Sequence, residues 1–267
     1  MIRQTAAFGV QLRSWRQRRR LSQLVLALDA GTSQRHLSFL ESERAQPSRE
    51  MVLRLSEALA LPLRERNSLL LAAGFAPAYP HRPLEAPDLV AARSTIEHIL
   101  EGHMPHPALA VDRYWTLLSA NRALHCLLGE LPAHQVAAPL NVLRLSLHPE
   151  GLGGRILNFR EWRAHVLSRL RHEAEVSADP KLAALLEELE SDPAPSRNRR
   201  AADRESGESR IAVPLQLASD NGPLSFISTT TVFGTAADVT LAEITIETFF
   251  PADRETAQAM RELVGEC

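Results

Sequence analysis

Several things are scarce in this 267-residue chain, and each scarcity excludes something. There are two cysteines, Cys126 and Cys267, too few for a disulfide framework and without the CxxC spacing of a metal site. That usage fits a reducing compartment, and Cys126, just after Leu124 in a helical pattern, reads as a buried, inert thiol. No apolar run reaches the roughly 18 residues that a membrane span needs. The first twenty residues are rich in arginine and hold no apolar leader core. A cytoplasmic protein without membrane contact is therefore expected. There is no GxSxG, HExxH, P-loop or GxGxxG pattern, so no common catalytic or nucleotide-binding motif is present. His98, His103 and His106 have no cysteine or carboxylate set beside them, and no metal site is expected. Glu187, Glu188 and Glu190 read as a solvated helix face, not a catalytic pair. No internal repeat is visible, and Lys181 is the one lysine.

What is present is unevenly placed. The net charge of −2 conceals twelve arginines against six acids in residues 1–66. That head carries +6, which leaves −8 on the other 201 residues. A basic segment on an acidic body suggests an anion-binding head.

The head reads as five short helices. Phe8, Leu12 and Trp15 fall at helical spacing. Ser22 is placed to cap a second helix, with Leu24, Ala27 and Leu28 as its apolar line up to Gly31. Ser33 caps a third, with Leu37 and Leu40 facing inward. Ser48 caps a fourth, whose apolar face is Val52, Leu55 and Leu59. Pro62 opens a fifth that runs to Ala73.

Helices two and three, joined at Gly31-Thr32, have the form of a helix-turn-helix. Gly31 can take the left-handed conformation that ends the first helix, and Ala27 is small where the two cross. The third helix would then lie in a major groove of double-stranded DNA. Gln34, Arg35 and His36 stand clear of its leucines and are the candidates for base edges, because Gln pairs with adenine and Arg with guanine. Gln23, Thr32, Ser33 and Ser38 are candidates for backbone positioning, and Arg18 and Arg19, beside Arg16 and Arg20, for phosphate.

Residues 76–87, "APAYPHRPLEAP", hold four prolines and mark the best domain boundary. The expected division is a DNA-binding domain at 1–75, a linker at 76–87 and a second domain at 88–267. After a helix at 88–101 the period changes. "PALAVD" and "WTLLSA" read as a hairpin, Asn121 caps a helix, and 139–190 is mainly helical, with Trp162, Val166 and Leu170 on one stripe. Residues 191–210 are nearly devoid of apolar side chains and read as a solvated loop. Strands are expected at 211–217, 224–232 and 240–249, then a helix at 252–264. Five antiparallel strands with helices inserted after the second form a PAS-like α+β domain, a class that curls its sheet around a small-molecule pocket.

The run "LSQLVLALDAGTSQRHLSFLESERAQPS" resembles the five-helix helix-turn-helix of the Xre/Cro family of bacterial transcription regulators. "GTSQRHLSFLE", "PSREMVLRLSEALALPLRERNSLLLAAGFAPAY", "PALAVDRYWTLLSANRAL", "NVLRLSLHPEGL" and "FFPADRETA" resemble the MmyB-like subfamily, and together they cover most of the chain. The resemblance implies a C-terminal PAS-like domain that takes a fatty-acid-like or other small apolar effector. It also shows two departures. Where the family commonly has glycine, this chain has Arg20 and Glu43, at positions that ask for a left-handed cap. The polar segment around 194–208 is also unlike the family pattern.

The expected function is thus a sequence-specific transcription regulator, working as a homodimer, that carries no cofactor beyond a possible bound fatty acid or similar effector. Trp115, Leu117, Leu143, Leu147, Trp162, Phe226 and Phe249 are the candidate apolar lining of its pocket. Asn141, Arg144 and His148, at spacings of three and four on one helix, are the candidate polar anchors. Two other readings compete. The second domain could be a protein–protein interaction module without ligand. The chain could also be an enzyme with a DNA-binding head, although 88–264 offers no nucleophile and base at a recognisable spacing.

Overall fold

A computed structural model describes residues 7–129, 138–192, 213–220 and 222–267. The expected solvated loop at 191–210, beyond Asp192, and the start of the strand expected from 211 lie outside the described residues, as does Asn221. The chain forms two compact units. The first holds residues up to Arg82 together with Thr235–Ala242, and the second holds Pro83–Gly234 and Glu243–Cys267. The division falls inside the proline-rich stretch. The second unit is not continuous, because eight residues between its last two strands belong to the first.

In the first unit the helices are α1 (Phe8–Arg18), α2 (Gln23–Asp29), α3 (Gln34–Glu41), α4 (Arg49–Ala58) and α5 (Leu63–Ala72). Ser22, Ser33 and Ser48 accept hydrogen bonds from Val25 N, His36 N and Met51 N at 3.1, 3.1 and 3.2 Å, as N-caps do. Each is worth about 1 kcal/mol to its helix. Leu12, Leu26, Leu37, Leu40, Val52 and Leu55 are fully buried and make the core. Helix α2 departs from the expected apolar line. Its inward stripe is Gln23, Leu26, Ala27 and Ala30, three or four residues apart along one helix face, and Leu24 and Leu28 face outward, 51% and 69% exposed. Gly9 lets α1 close on the end of α3, because a Cβ there would lie 2.6 Å from Leu40 O and 2.8 Å from Glu41 O.

The first half of the expected linker is held by α5. Asn67 donates to Tyr79 O at 2.7 Å and accepts from Ala78 N and Tyr79 N. A short helix α11 (Val239–Ala242) stands where the sequence suggests the start of a strand. It packs beside the same segment, Val239 N bonding Pro80 O at 2.8 Å.

In the second unit, α6 (Val90–Glu101) leads into β1 (Ala108–Val111) and β2 (Leu117–Ala120). Asn121 then caps α7 (Arg122–Leu128). It uses its whole amide, accepting from Ala108 N and Leu124 N and donating to Leu100 O and His106 O. The inserted helices are α8 (Val142–Leu147), α9 (Phe159–Ser177) and α10 (Pro180–Ser191). Strands β3 (Leu215–Leu217), β4 (Leu224–Val232) and β5 (Thr245–Pro251) follow, and α12 (Arg254–Glu266) ends the chain. The five strands form one antiparallel sheet in the order β2-β1-β5-β4-β3, the PAS-like arrangement. Its register sets Leu109 and Thr230 opposite Glu247, and Ser228 opposite Phe249. Cys126 on α7 and Cys267 after α12 are joined in a disulfide, which corrects the expectation of an inert thiol. Helices α7 and α12 pack together, which brings two cysteines 141 residues apart into bonding range, a proximity no local pattern reveals.

Candidate functional site

In the head, the two-helix unit is closed at its turn by Thr32 N bonding Ala27 O at 2.8 Å, with Gly31 at φ 62°. The N-terminal turn of α3 presents Gln34 and Arg35 to solvent, while Leu37, Leu40 and Glu41 are buried. The Arg35 guanidinium lies 5.4 Å from the Phe39 ring centroid, which steadies an otherwise free side chain. His36 and Ser38 are half-buried, Thr32 lies in the turn, and Ser33 is occupied as the cap. Arg18 is exposed.

Two candidates are engaged inside the head. Gln23 donates to Glu41 Oε2 at 2.9 Å. Arg19 donates to Leu59 O at 3.0 Å and lies over the Trp15 ring. Arg16 forms a two-pronged pair with Glu41, at 2.5 and 2.9 Å, and also reaches Leu21 O. Burial works against the Glu41 charge, but the hydrogen bonds from Arg16 and Gln23 and the charges of Arg16 and Arg13 outweigh it, and its carboxyl is held below the usual range. Sequence reasoning missed this buried lock, and it missed Arg54 on α4. The Arg54 Nη1 atom lies 3.8 Å from where a Cβ on Gly31 would stand, so a cation sits beside the turn.

The second unit contains a partly open cavity of about 100 Å³. Its walls come from all five strands of the sheet and from α7, α8 and α9, and most of its lining is leucine, valine and aromatic. Of the expected apolar lining, Trp115, Leu117, Leu143, Trp162 and Phe249 face it. Leu147 and Phe226 do not; they are buried in the packing around it, Phe226 edge-on to Phe249 at 6.5 Å.

The expected polar trio is not brought to the cavity, and each member has another use. Asn141 caps α8 through Leu143 N and Arg144 N and donates to Tyr114 O at 2.7 Å. Arg144 makes a two-pronged, half-exposed pair with Glu188. His148 accepts from Glu150 N, capping the turn that follows.

The polar end of the cavity is built from residues the sequence reading did not name. On α9, Trp162, His165, Val166 and Arg169 share one face at spacings of three and four, and all line the cavity. Arg169 Nη2 pairs with Glu247 on β5 at 2.6 Å, its Nε lies 3.4 Å from Glu173, and its guanidinium stacks 4.6 Å from the Trp115 ring. Trp115 in turn donates its indole N–H to Glu173 at 2.8 Å. Thr230 donates to the same Glu247 oxygen that Arg169 uses. Trp162 donates to Ser146 at 3.0 Å. The sequence does carry a signal for Arg169, a charged residue on the stripe that runs from Trp162 to Leu170.

Trp115 has φ 64°, a left-handed conformation that costs a bulky residue on the order of 1–3 kcal/mol. The turn enforces it: Asp112 accepts from Tyr114 N and Thr116 N, both at 2.8 Å, while Val142 N binds Trp115 O. Strain held in this way at a cavity wall is a mark of a site. Burial raises the Glu173 carboxyl above its usual range, against the pull of the Trp115 indole and Arg169. Burial and the Arg169 charge lower the His165 pKa, against Glu247.

Among the described residues no helix is long and apolar enough to cross a membrane. No curated protein matches the chain. A helix-turn-helix family model matches residues 12–66, the part of the head that holds the α2–α3 pair. A second model, the MmyB-like transcription regulator ligand binding domain, matches residues 92–263 and so takes in the sheet, the inserted helices and the cavity between them. That match covers more than half of the chain, which therefore belongs to the MmyB-like transcription regulators, DNA-binding regulators with a ligand-binding domain.

Proposed function

We propose that the chain is a sequence-specific regulator whose DNA affinity is set by a small apolar effector in the cavity of the second unit. The observation that carries this reading is the cavity itself: an apolar chamber with a few converging polar groups and a strained tryptophan on its wall. In the head, Gln34 and Arg35 read base edges, His36 and Ser38 lie beside them, and Arg18 meets phosphate. Thr32 and Ser33 hold the turn against the DNA backbone, while Gln23 and Arg19 act by fixing the head.

The regulator works as a homodimer, because one head makes few base contacts and each good one supplies roughly 1–3 kcal/mol of discrimination. The covalent path from effector to head is short. Strands β4 and β5 both line the cavity, and the segment that joins them includes Thr235–Ala242, which belongs to the first unit. A ligand that shifts these strands pulls on that segment, and a coupling of about 1–3 kcal/mol is enough for regulation.

Two measurements on the full-length protein test this. Selection from random duplex DNA should return paired half-sites about one helical turn apart. A single half-site, with sedimentation as a monomer both free and on DNA, would sink the dimer. Native mass spectrometry should show mass above 29.6 kDa per chain that is lost on activation, or gained with an added apolar amphiphile. No gain with any amphiphile would sink the effector and leave the second domain as a protein-binding module.

A further inference from the structure

The cavity has one polar end, and its charges are already spoken for. Arg169 is the one arginine or lysine that lines it among the described residues. That guanidinium is paired with Glu247 at 2.6 Å, lies 3.4 Å from Glu173, and has a face covered by Trp115. An incoming carboxylate would have to take Arg169 from Glu247, whose side chain is 6% exposed. It would bring a third carboxylate, beside Glu247 and Glu173, to one arginine and leave a largely buried anion unpaired.

Glu247 offers the opposite opportunity. Its shortest contact with Arg169 and its hydrogen bond from Thr230 are both made through Oε1. Its Oε2 accepts no hydrogen bond among the described residues, although the residue is only 5% exposed and lines the cavity. Ser228, two residues before Thr230 on the same face of β4, also lines the cavity, and its hydroxyl makes no hydrogen bond among the described residues. The open groups are thus a carboxylate oxygen, a hydroxyl and an imidazole. The carboxylate oxygen can only accept, while the hydroxyl and the imidazole can accept or donate, so a hydrogen-bond donor can satisfy all three. An ammonium group would meet the Arg169 charge beside Glu247, so the donor that fits is uncharged.

Resting on the effector reading above, we infer that the ligand is an apolar molecule with an uncharged hydrogen-bond-donating head, an alcohol or primary amide, that docks on Glu247 Oε2 and Ser228, and that a free carboxylate is selected against. The hydrocarbon part lies against Trp115, Trp162 and the leucines, and the head decides affinity.

The test is a series of four dodecyl compounds on the full-length protein: dodecanol, dodecanamide, dodecanoate and dodecylamine. Each is titrated below its critical micelle concentration. Binding is followed by tryptophan fluorescence, since Trp115 and Trp162 line the cavity, and checked by calorimetry. The alcohol and the amide should bind about tenfold or more tightly than either ionic compound. In Glu247→Gln, Arg169 loses its close partner and the alcohol loses its anionic acceptor, so dodecanoate should gain about tenfold while dodecanol weakens. Dodecanoate or dodecylamine binding the wild-type protein as tightly as dodecanol overturns the inference, and the wild-type series stands even if the variant fails to fold. An E247Q protein that folds but shows no gain for dodecanoate also overturns it. If none of the four binds, the effector reading itself fails. If dodecanoate binds best, that reading stands and only the choice of head group is wrong.

Discussion

Replacing Arg20 and Glu43 by glycine should stabilise the head. These residues occupy the left-handed position after α1 and α3, at φ 55° and 59°. The backbone around them is that of a Schellman cap: Leu21 N bonds Arg16 O at 3.1 Å, and Arg44 N bonds Phe39 O at 2.8 Å. An L-residue there costs about 1–2 kcal/mol through the approach of its Cβ to the carbonyl that follows. Glycine removes that cost but gives up about 0.5–1 kcal/mol of extra freedom on folding. Both side chains are exposed, and neither makes a hydrogen bond or ion pair among the described residues, so no contact is lost. The net gain is about 0.5–1 kcal/mol per site and about 1–2 kcal/mol for the double variant. For a unit of this size that raises Tm by roughly 4–8 °C per kcal/mol. Calorimetry of the full chain gives the shift, and hydrogen exchange of peptides from α1 to α4 assigns it to the head. Gly31→Ala should move the other way by about 1 kcal/mol, since Gly31 has φ 62° and a Cβ there meets nothing closer than 3.8 Å, so only backbone strain acts. Glycine variants that are neutral or less stable would refute the cap argument, and a gain confined to peptides of the second unit would refute its location.

Three further outcomes are expected. Arg35→Ala should cost about 1–3 kcal/mol at one base position and relax specificity there, whereas Arg18→Ala should weaken all sequences alike and lower the salt slope by about one; identical behaviour in salt-titrated binding assays would undo the sorting of the two arginines. Because the Glu41 carboxyl is held below its unfolded value, its contribution to head stability is complete above that value and is lost as pH falls through the folded one. Thermal unfolding should show this loss below about pH 4, and Glu41→Gln should flatten it. Gly9→Ala should destabilise the head by about 1–3 kcal/mol, because its Cβ would meet the backbone oxygens of Leu40 and Glu41 at 2.6 and 2.8 Å; an unchanged Tm would mean that α1 can shift freely away from α3.

Most of the architecture can be read from local pattern. Serine caps, periodic leucines and one glycine mark five helices within a few residues, because each signal acts inside a single turn of chain. Misreadings arise where a partner from elsewhere decides. In α2 the inward stripe holds Gln23 in place of a leucine, because Glu41 waits across the interface to receive it. Hydrophobicity alone therefore turns Leu24 and Leu28 the wrong way. Strand β5 starts at Thr245, not at 240, because Val239–Ala242 is committed to a helix that packs in the first unit.

The candidate site divides on the same principle. Trp115, Leu117, Leu143, Trp162 and Phe249 are legible as lining, since aromatic and branched side chains on the inner faces of a curled sheet and its helices have few other places to go. The polar end is not legible, because its members come from α9, β4 and β5, as much as 82 residues apart between His165 and Glu247, and only the strand order brings them together. Helical spacing makes Asn141, Arg144 and His148 look like a constellation, yet each has a separate use away from the cavity: a cap, a surface ion pair and a second cap. Arg169 reads the other way. On a line with Trp162 and Val166 it breaks an apolar stripe, and a charge placed there has to be paired. The partner it finds, Glu247, leaves one oxygen open to the chamber. A cationic anchor for a fatty acid is what the pocket of this fold leads one to look for. The arginine is present, but it arrives already paired, and the open valence at the end of the cavity is an acceptor.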